Sequence, residues 1–338
     1  MVVKTGVRRT LSFLASLAIV VGIISNHASA QYTLTNLVSN QAGQANNTDP
    51  DLVNAWGVSY APGGPFWVSD SGTGLSTLYN AQGVKQSLIV TIPTASGSGT
   101  GSPTGQVYNS TPNFVVTENG KSGPAAFLFA TFDGTISGWA PSVDETNAVI
   151  AVKRTGAWYT GLAIGTSNGS PVLFAADNLS NRVDMYDGKF NLLKSFTDTN
   201  LPPGSAPYNV HIIKNNLIVT FTNSSGGGVV DVFDLAGKFL KTLISGGPLH
   251  SPWGVALAPA NFGPASKLLL IANEDDGKIN AFNPKTGKFV AGSKVVSDGT
   301  WEIVFGGGSS QNGNTNQLFI ASGPDEYADG LFQVLSPK

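Results

Sequence analysis

Short apolar runs that end in small polar residues recur six times along the chain. Such runs, bounded by turn residues, predict buried β-strands, and their spacing of about 45 to 60 residues is typical of the blades of a β-propeller. The six copies are Phe66–Asp70, Phe127–Thr131, Val172–Asp177, Leu217–Thr220, Leu268–Asn273 and Leu318–Ser322.

A second strand follows each run and leads into a tight turn that usually contains glycine. Its alternation of apolar and polar residues predicts a half-buried strand, and the glycine supplies the positive φ of a hairpin. The copies are Ser76–Asn80, Ile136–Trp139, Val183–Asp187, Val230–Asp234, Ile279–Asn283 and Leu331–Val334.

A further short strand opens each repeat and is predicted to be the innermost, because glycine fits where strands converge on an axis. The copies are Ala55–Val58, Pro103–Gln106, Tyr159–Leu162, Pro207–Val210, Pro252–Val255 and Thr300–Ile303.

Five of the hairpins lead into an outer strand, but the sixth does not, because the sequence stops at Lys338. A spare strand, Tyr32–Val38, lies at the other end. The sequence therefore predicts an all-β, six-bladed propeller over residues 31–338, in which the N-terminal strand closes the last blade and protects its edges.

Motifs of blade five carry a resemblance to known propellers that covers residues 31–338. Pro252-Trp253-Gly254-Val255-Ala256, then Leu269 to Asn273, then the Gly287-Lys288 hairpin, resemble NHL-repeat and lactonase-type six-bladed propellers. More closely, the chain resembles a family of exported bacterial propellers known only as conserved hypothetical proteins. The shared residues are structural, so the resemblance implies the fold and is nearly silent on function.

Residues 1–30 predict a signal peptide. Basic Lys4, Arg8 and Arg9 precede the apolar run 11–24, and Ala28-Ser29-Ala30 gives a small-x-small cleavage site. We expect an exported protein, periplasmic or extracellular, with no membrane span after cleavage. Its partner would then be an extracytoplasmic ligand or protein.

Composition narrows the partners further. Without the three cations of the signal peptide, 16 Lys and Arg face 21 Asp and Glu, a net charge near −5. Phosphate binding needs a basic face, so nucleic acid is an unfavourable partner. The chain has no cysteine, which excludes disulfides and thiolate chemistry. We expect a monomer.

One residue of each inner strand should surround the channel mouth, and four of these are aromatic: Trp56, Tyr208, Trp253 and Trp301. Aromatic side chains in register could stack a sugar, peptide or quinone-like ligand. The alternative, which we favour, is that they plug the channel and pack blade against blade.

A second candidate group is polar. Asn209 and Glu302 replace the glycine of the inner-strand motif, and His211 and His250 are the two histidines beyond the signal peptide. Together these four side chains could form a metal site or an acid–base pair at the mouth. Asn209 and His211 share one face of their strand, so packing between blades is the alternative.

Side chains with oxygen ligands lie at or just after the apolar runs and could bind a divalent cation such as Ca²⁺. They are Asp70, Asp133, Asp177, Asn223 and Asn273. Asp and Asn at such positions more often hold their own turn. The lactonase resemblance implies a Glu at an early inner strand; here that strand reads Asn54-Ala55-Trp56-Gly57, leaving Glu302 as a carboxylate from another blade.

These observations favour a binding or interaction module of unknown ligand. The alternative is a metal-dependent hydrolase or lyase at the channel mouth, using Glu302, Asn209 and a histidine. Whether the protein is an enzyme, and whether it takes a cofactor, stays open.

Overall fold

The computed structural model describes residues 20–21, 32–97 and 99–338. Its strands form six consecutive blade sheets and one separate two-stranded hairpin. The predicted all-β, six-bladed propeller is confirmed. The predicted signal peptide lies outside the described residues, apart from Val20 and Val21, whose backbone pairs with Thr33 and Tyr32.

Each blade is an antiparallel sheet of four strands that run in order from the axis outwards. In blade six the fourth strand comes from the N-terminal part of the chain and pairs with two further short strands, one of them parallel to it. Three strands precede blade one: β1 (Val20–Val21), β2 (Tyr32–Ser39) and β3 (Asn47–Thr48). Blade one comprises β4 (Ala55–Tyr60), β5 (Phe66–Asp70), β6 (Leu75–Tyr79) and β7 (Lys85–Thr91). Blade two comprises β8 (Pro103–Tyr108), the inserted hairpin β9 (Val115–Glu118) and β10 (Lys121–Pro124), then β11 (Phe127–Thr131), β12 (Thr135–Trp139) and β13 (Val149–Lys153).

The remaining blades repeat this order. Blade three comprises β14 (Tyr159–Ser167), β15 (Ser170–Asp177), β16 (Arg182–Asp187) and β17 (Leu192–Phe196). Blade four comprises β18 (Ser205–Ile213), β19 (Asn216–Asn223), β20 (Gly227–Phe233) and β21 (Phe239–Ser245). Blade five comprises β22 (Pro252–Leu257), a 3₁₀ turn (Gly263–Ala265), β23 (Leu269–Asn273), β24 (Lys278–Phe282) and β25 (Phe289–Lys294). Blade six comprises β26 (Thr300–Phe305), β27 (Leu318–Ser322), β28 (Leu331–Pro337) and β2.

The ring is closed by β2, which pairs antiparallel with β28 and places Leu34 opposite Leu335. Leu34 packs in the layer between blades five and six. A register shift between Asn36 and Val38 then turns the strand, and Val38 packs in the layer between blades six and one. One strand thus contributes to both flanks of the last blade, as the spare N-terminal strand predicts.

Apolar side chains fill the space between each pair of neighbouring blades. Every residue of β5, β11, β23 and β27 is buried, because a blade between two others has no solvent face. The same packing corrects one expectation. The strand that follows each apolar run, which is the third strand of its blade counted from the axis, was expected to be half-buried. Instead, β12 is buried throughout and β24 is buried at all but its first residue.

The inner strands define two faces of the ring. The upper face carries their first residues, and the lower face carries their last residues. A register shift marks the start of each inner strand; in β18 it lies between Pro207 and Asn209, and in β26 between Thr300 and Ile303. Such a bulge re-aims the side chain beside it. It brings Tyr208 and Trp301 together near the axis.

We expect the closing strand to carry a large share of the stability. Leu34→Ala removes a buried side chain from the blade five–six layer and should lower the free energy of unfolding by about 2–5 kcal/mol. The half-exposed neighbour Thr35→Ala should change it by about 0.5 kcal/mol or less. Urea unfolding measures both, and deletion of residues 32–39 should prevent cooperative unfolding. Equal small effects of the two substitutions would contradict this role for β2.

Candidate functional site

Five aromatic side chains fill the upper end of the central channel and form the aromatic plug: Trp56, Phe132, Tyr208, Trp253 and Trp301. Trp56 stacks on Trp301 with ring centroids 3.5 Å apart, and the edge of Trp253 meets Trp56 at 5.7 Å. The three tryptophans are at most 3% exposed. The predicted ligand-stacking surface is therefore closed, because its members stack on one another.

The polar atoms of the plug are also satisfied internally. Asn54 Oδ1 accepts hydrogen bonds from Trp56 Nε1 at 3.0 Å and Trp301 Nε1 at 3.2 Å, while Trp253 Nε1 donates to the Thr160 carbonyl at 3.1 Å. Asn54, which stands where the lactonase resemblance implies a glutamate, thus holds two tryptophans in place. These hydrogen bonds hold the plug in place above the rest of the channel.

Below the plug the inner strands approach each other closely. A Cβ at Gly254 would overlap the Trp301 carbonyl oxygen, and one at Gly161 would overlap Asn209 Oδ1. Glycine is thus required where one inner strand touches the next. Asn209 and Glu302 occupy the same motif position, so their side chains must find room beside this contact.

Both substituted side chains turn back onto their own strand. Asn209 Oδ1 accepts from Val210 N at 2.8 Å, and Glu302 Oε1 accepts from Ile303 N at 3.0 Å. Each thereby satisfies a backbone N–H on an inner strand. This conformation leaves the Asn209 amide and the Glu302 carboxyl beside His211.

Asn209, His211 and Glu302 form the polar group of the channel. Asn209 Nδ2 lies 2.9 Å from His211 Nε2, and His211 Nε2 lies 3.9 Å from Glu302 Oε1. A hydrogen bond from the Asn209 amide gives His211 Nε2 the acceptor role, so the ring bonds the Trp253 backbone through its other nitrogen. Three of the four predicted catalytic candidates are brought together. His250, in the loop before β22 on the upper face, is not among the residues around this cavity.

His211 and Glu302 of the polar group line a cavity of about 520 Å³. The later residues of the inner strands form the rest of its lining, and the side chains of Val58, Leu162, Val210, Val255 and Ile303, at most 4% exposed, pack in the layers between blades. This volume lies within the range of small-ligand pockets, about 300–1,000 Å³. Because the plug closes the upper end, the cavity opens towards the lower face.

Burial sets the charge of the polar group. It raises the pKa of Glu302 to about 8, against the small opposing effect of the Ile303 hydrogen bond. It also lowers the pKa of His211 to about 4, although the Trp253 hydrogen bond acts in the opposite direction. At neutral pH both side chains are therefore mainly uncharged, and the 3.9 Å contact is not an ion pair.

Gln106 also lines the cavity, and the sequence reasoning missed it. Its Nε2 donates to the carbonyls of Gly57 and Trp67, both at 2.7 Å, which ties blade two to blade one. A signal was present: Gln106 is the one polar residue at a motif position that otherwise carries valine, leucine or isoleucine.

The five predicted cation ligands lie in different blades, and each hydrogen-bonds backbone of its own turn or of a neighbouring segment. Asp70 Oδ2 accepts from Thr77 N, Asp133 Oδ2 from Ala95 N, Asp177 Oδ1 from Trp158 N and Asn223 Oδ1 from Ser225 N, while Asn273 Nδ2 donates to Pro248 O. The structure does not bring them to one point. Within the described residues no three His, Asp or Glu side chains are placed to share a metal ion.

Comparisons with known proteins support the fold more than the function. No family model matches the chain. It is 29% identical over 314 residues to "Uncharacterized protein R648" of Acanthamoeba polyphaga mimivirus, covering 87% of this chain and 78% of that protein. It is also 29% identical to "Uncharacterized protein L690" of the same virus, covering 90% and 85% respectively. These relatives are viral, so the expected bacterial and NHL-repeat family is not supported.

Two solved structures share the architecture. "COPII on membranes, outer coat vertex" matches with a TM-score of 0.54 and 14% identity over 80% of this chain and 66% of that one. "The structure of the COPII coat assembled on membranes" matches equally, over 36% of its chain. At this identity the likeness shows the propeller fold alone. Within the described residues, no helix has the length and apolar character needed to cross a membrane.

The buried carboxyl of Glu302 should make stability depend on pH. Its folded-state pKa of about 8 exceeds the ordinary value near 4.5, so the folded state holds the extra proton and loses stability as pH rises through that window. Asp231 and Glu274, whose pKa values burial raises to about 7, follow the same trend. Relative to Glu302→Gln, the native chain should lose up to about 1.4 kcal/mol per pH unit.

Urea unfolding of both proteins at several pH values between 4.5 and 8 measures this difference. Glu145→Gln, at an exposed position, is the control and should parallel the native chain. A constant difference between native chain and Glu302→Gln across the window would contradict a buried, protonated Glu302.

Proposed function

We propose that the protein is a binding module that receives its ligand in the blind-ended central cavity, from the lower face. The observation that carries this proposal is the asymmetry of the channel. Buried, stacked tryptophans close the upper end, whereas about 520 Å³ stays open below them. A concave pocket that is closed at one end and carries a few polar side chains is a usual form of ligand site.

The propeller fold supports the same class of function. It is compatible with an interaction module, and the structural neighbours are propellers in the COPII coat. Their low sequence identity transfers no partner to this chain. The binding role proposed here rests on the cavity itself.

Catalysis is the second candidate, because an acid and a base face each other across the cavity at 3.9 Å. A catalytic base works best with a pKa near the working pH. Burial lowers the pKa of His211 to about 4, which makes it a weak base at neutral pH. The metal-dependent form of this alternative needs further ligands beyond Glu302, His211 and Asn209. These features favour binding over catalysis.

We also propose that the protein is exported and works as a monomer outside the cytoplasm. The pattern of residues 1–30, with its basic start, apolar run and Ala28-Ser29-Ala30 site, supports export. A ligand present in a periplasm or outside the cell would then have direct access to the lower face.

Filling the cavity should abolish binding. We expect small fragments (alcohols, amides, carboxylates and amines) to give saturation-transfer NMR signals with the native chain. Ser59→Trp and Val304→Trp should each remove these signals, because both positions line the cavity. Quenching of the native tryptophan fluorescence is a second measurement, because the plug above the cavity contains three of the six tryptophans.

Gln82→Trp is the matched control, since it adds the same side chain to an exposed turn on the lower face outside the cavity. It should leave every signal unchanged. Fragments that still bind the folded Ser59 and Val304 variants, or a native chain that binds none, would contradict the proposed function.

A further inference from the structure

Among the described residues that line the cavity, one carries a carboxyl group and none is a lysine or arginine. Glu302 is 8% exposed, and Ile303 N donates to its Oε1. In the described part of the chain no lysine or arginine lies within 4.0 Å of this carboxyl, and none lines the cavity. A buried carboxylate without a cation is unfavourable, so this group is a natural partner for a positive charge brought by a ligand.

The other titratable side chains around Glu302 cannot supply that charge at neutral pH. His211 on β18 is neutral, and its Nε2 already accepts from Asn209. Tyr60 on β4 donates its hydroxyl to the Phe305 carbonyl at 2.8 Å, and Tyr108 on β8 completes the set. None of these groups is cationic or would attract an anion.

The backbone at the axis is open to donors and acceptors alike. Each inner strand pairs on one side only, so its other edge presents both N–H and C=O groups to the channel. Some of these groups are already used, among them the Gly57 carbonyl by Gln106 and Ile303 N by Glu302. The Glu302 carboxyl is therefore the group that distinguishes a cation from other ligands.

The aliphatic residues of the lining do not compete with Glu302 for a ligand, because Val58, Leu162, Val210 and Val255 are at most 4% exposed and pack between blades. We propose that the cavity binds a primary alkylammonium group, with Glu302 as its counter-ion. This inference rests on the proposed function, because it names the ligand class of the same cavity. The ammonium belongs either to a free amine or to a lysine side chain of a partner protein.

Ammonium binding requires the ionised carboxyl, whereas the free protein keeps the proton up to a pH of about 8. Binding below that pH must release a proton. The affinity should therefore rise about tenfold per pH unit from pH 6 to about 8 and then level off. A neutral ligand that accepts a hydrogen bond from the protonated carboxyl would show the opposite trend.

Calorimetry of the full chain with n-butylammonium at pH 6, 7, 8 and 9 tests this inference, since an alkylamine stays protonated over that range, as lysine does. We expect n-butylammonium to bind with the stated pH slope and with proton release, and n-butanol, its neutral analogue, to bind at least tenfold more weakly at about pH 8. Glu302→Gln should remove the slope and weaken n-butylammonium at least tenfold. Glu145→Gln should behave as the native chain.

Comparable binding of n-butanol, or a slope that survives in Glu302→Gln, would overturn the ammonium assignment. If other fragments still bind the cavity, the proposed function stands while this inference fails; if no fragment binds, both fail. Nα-acetyl-lysine amide separates the two sources. Binding tighter than that of n-butylammonium points to a partner's lysine, and weaker binding points to a free amine.

Discussion

The rest of the structure depends on how closely six inner strands approach one another at the axis. A Cβ at Gly254 would overlap the next strand's carbonyl, so four of the six blades have glycine at this motif position. The same crowding accompanies the register shift at the start of each inner strand, which turns the preceding side chain towards the axis. Side chains such as Trp253 and Trp301 are then forced together, and they satisfy their polar atoms inside the ring.

The plug and the cavity are two consequences of that convergence. Where the bulges direct large aromatic rings inwards, the channel is full; below them, about 520 Å³ stays open. The closing strand β2 holds this arrangement together, because it packs on both neighbours of blade six. The cavity is thus built from the inner strands of the ring.

Much of the fold could be predicted from the sequence because the same pattern of apolar strands and glycine-containing turns recurs six times. The missing outer strand after Leu331–Pro337 and the spare strand from Tyr32 identified the closure without any contact information. Burial of the third strands was underestimated, because alternation indicates polarity but not that a second blade covers the polar face. The polar side chains there, such as Asp184 and Asp231, are buried within the sheet.

The candidate site was predicted only in part. Asn209, His211 and Glu302 were found because two of them break the glycine pattern. The predicted group also included His250, which is close to an inner strand in sequence but does not line the cavity. Gln106 was missed, although it too breaks the pattern of its position. Its partners, the carbonyls of Gly57 and Trp67, belong to another blade, and single-strand periodicity carries no information about them.

Stability alone does not explain why the chain has polar side chains at these positions of the repeat. Glycine would satisfy the close approach at position 302, and an aliphatic side chain would suit the wall around His211. A glutamate there instead buries an acid whose nearest titratable neighbour, His211, is itself uncharged. Burying an unpaired ionisable group costs folding free energy, and such costs are characteristic of functional sites. The six-fold repetition therefore explains the scaffold, and its exceptions at Asn209, His211 and Glu302 form the polar group at the proposed ligand cavity.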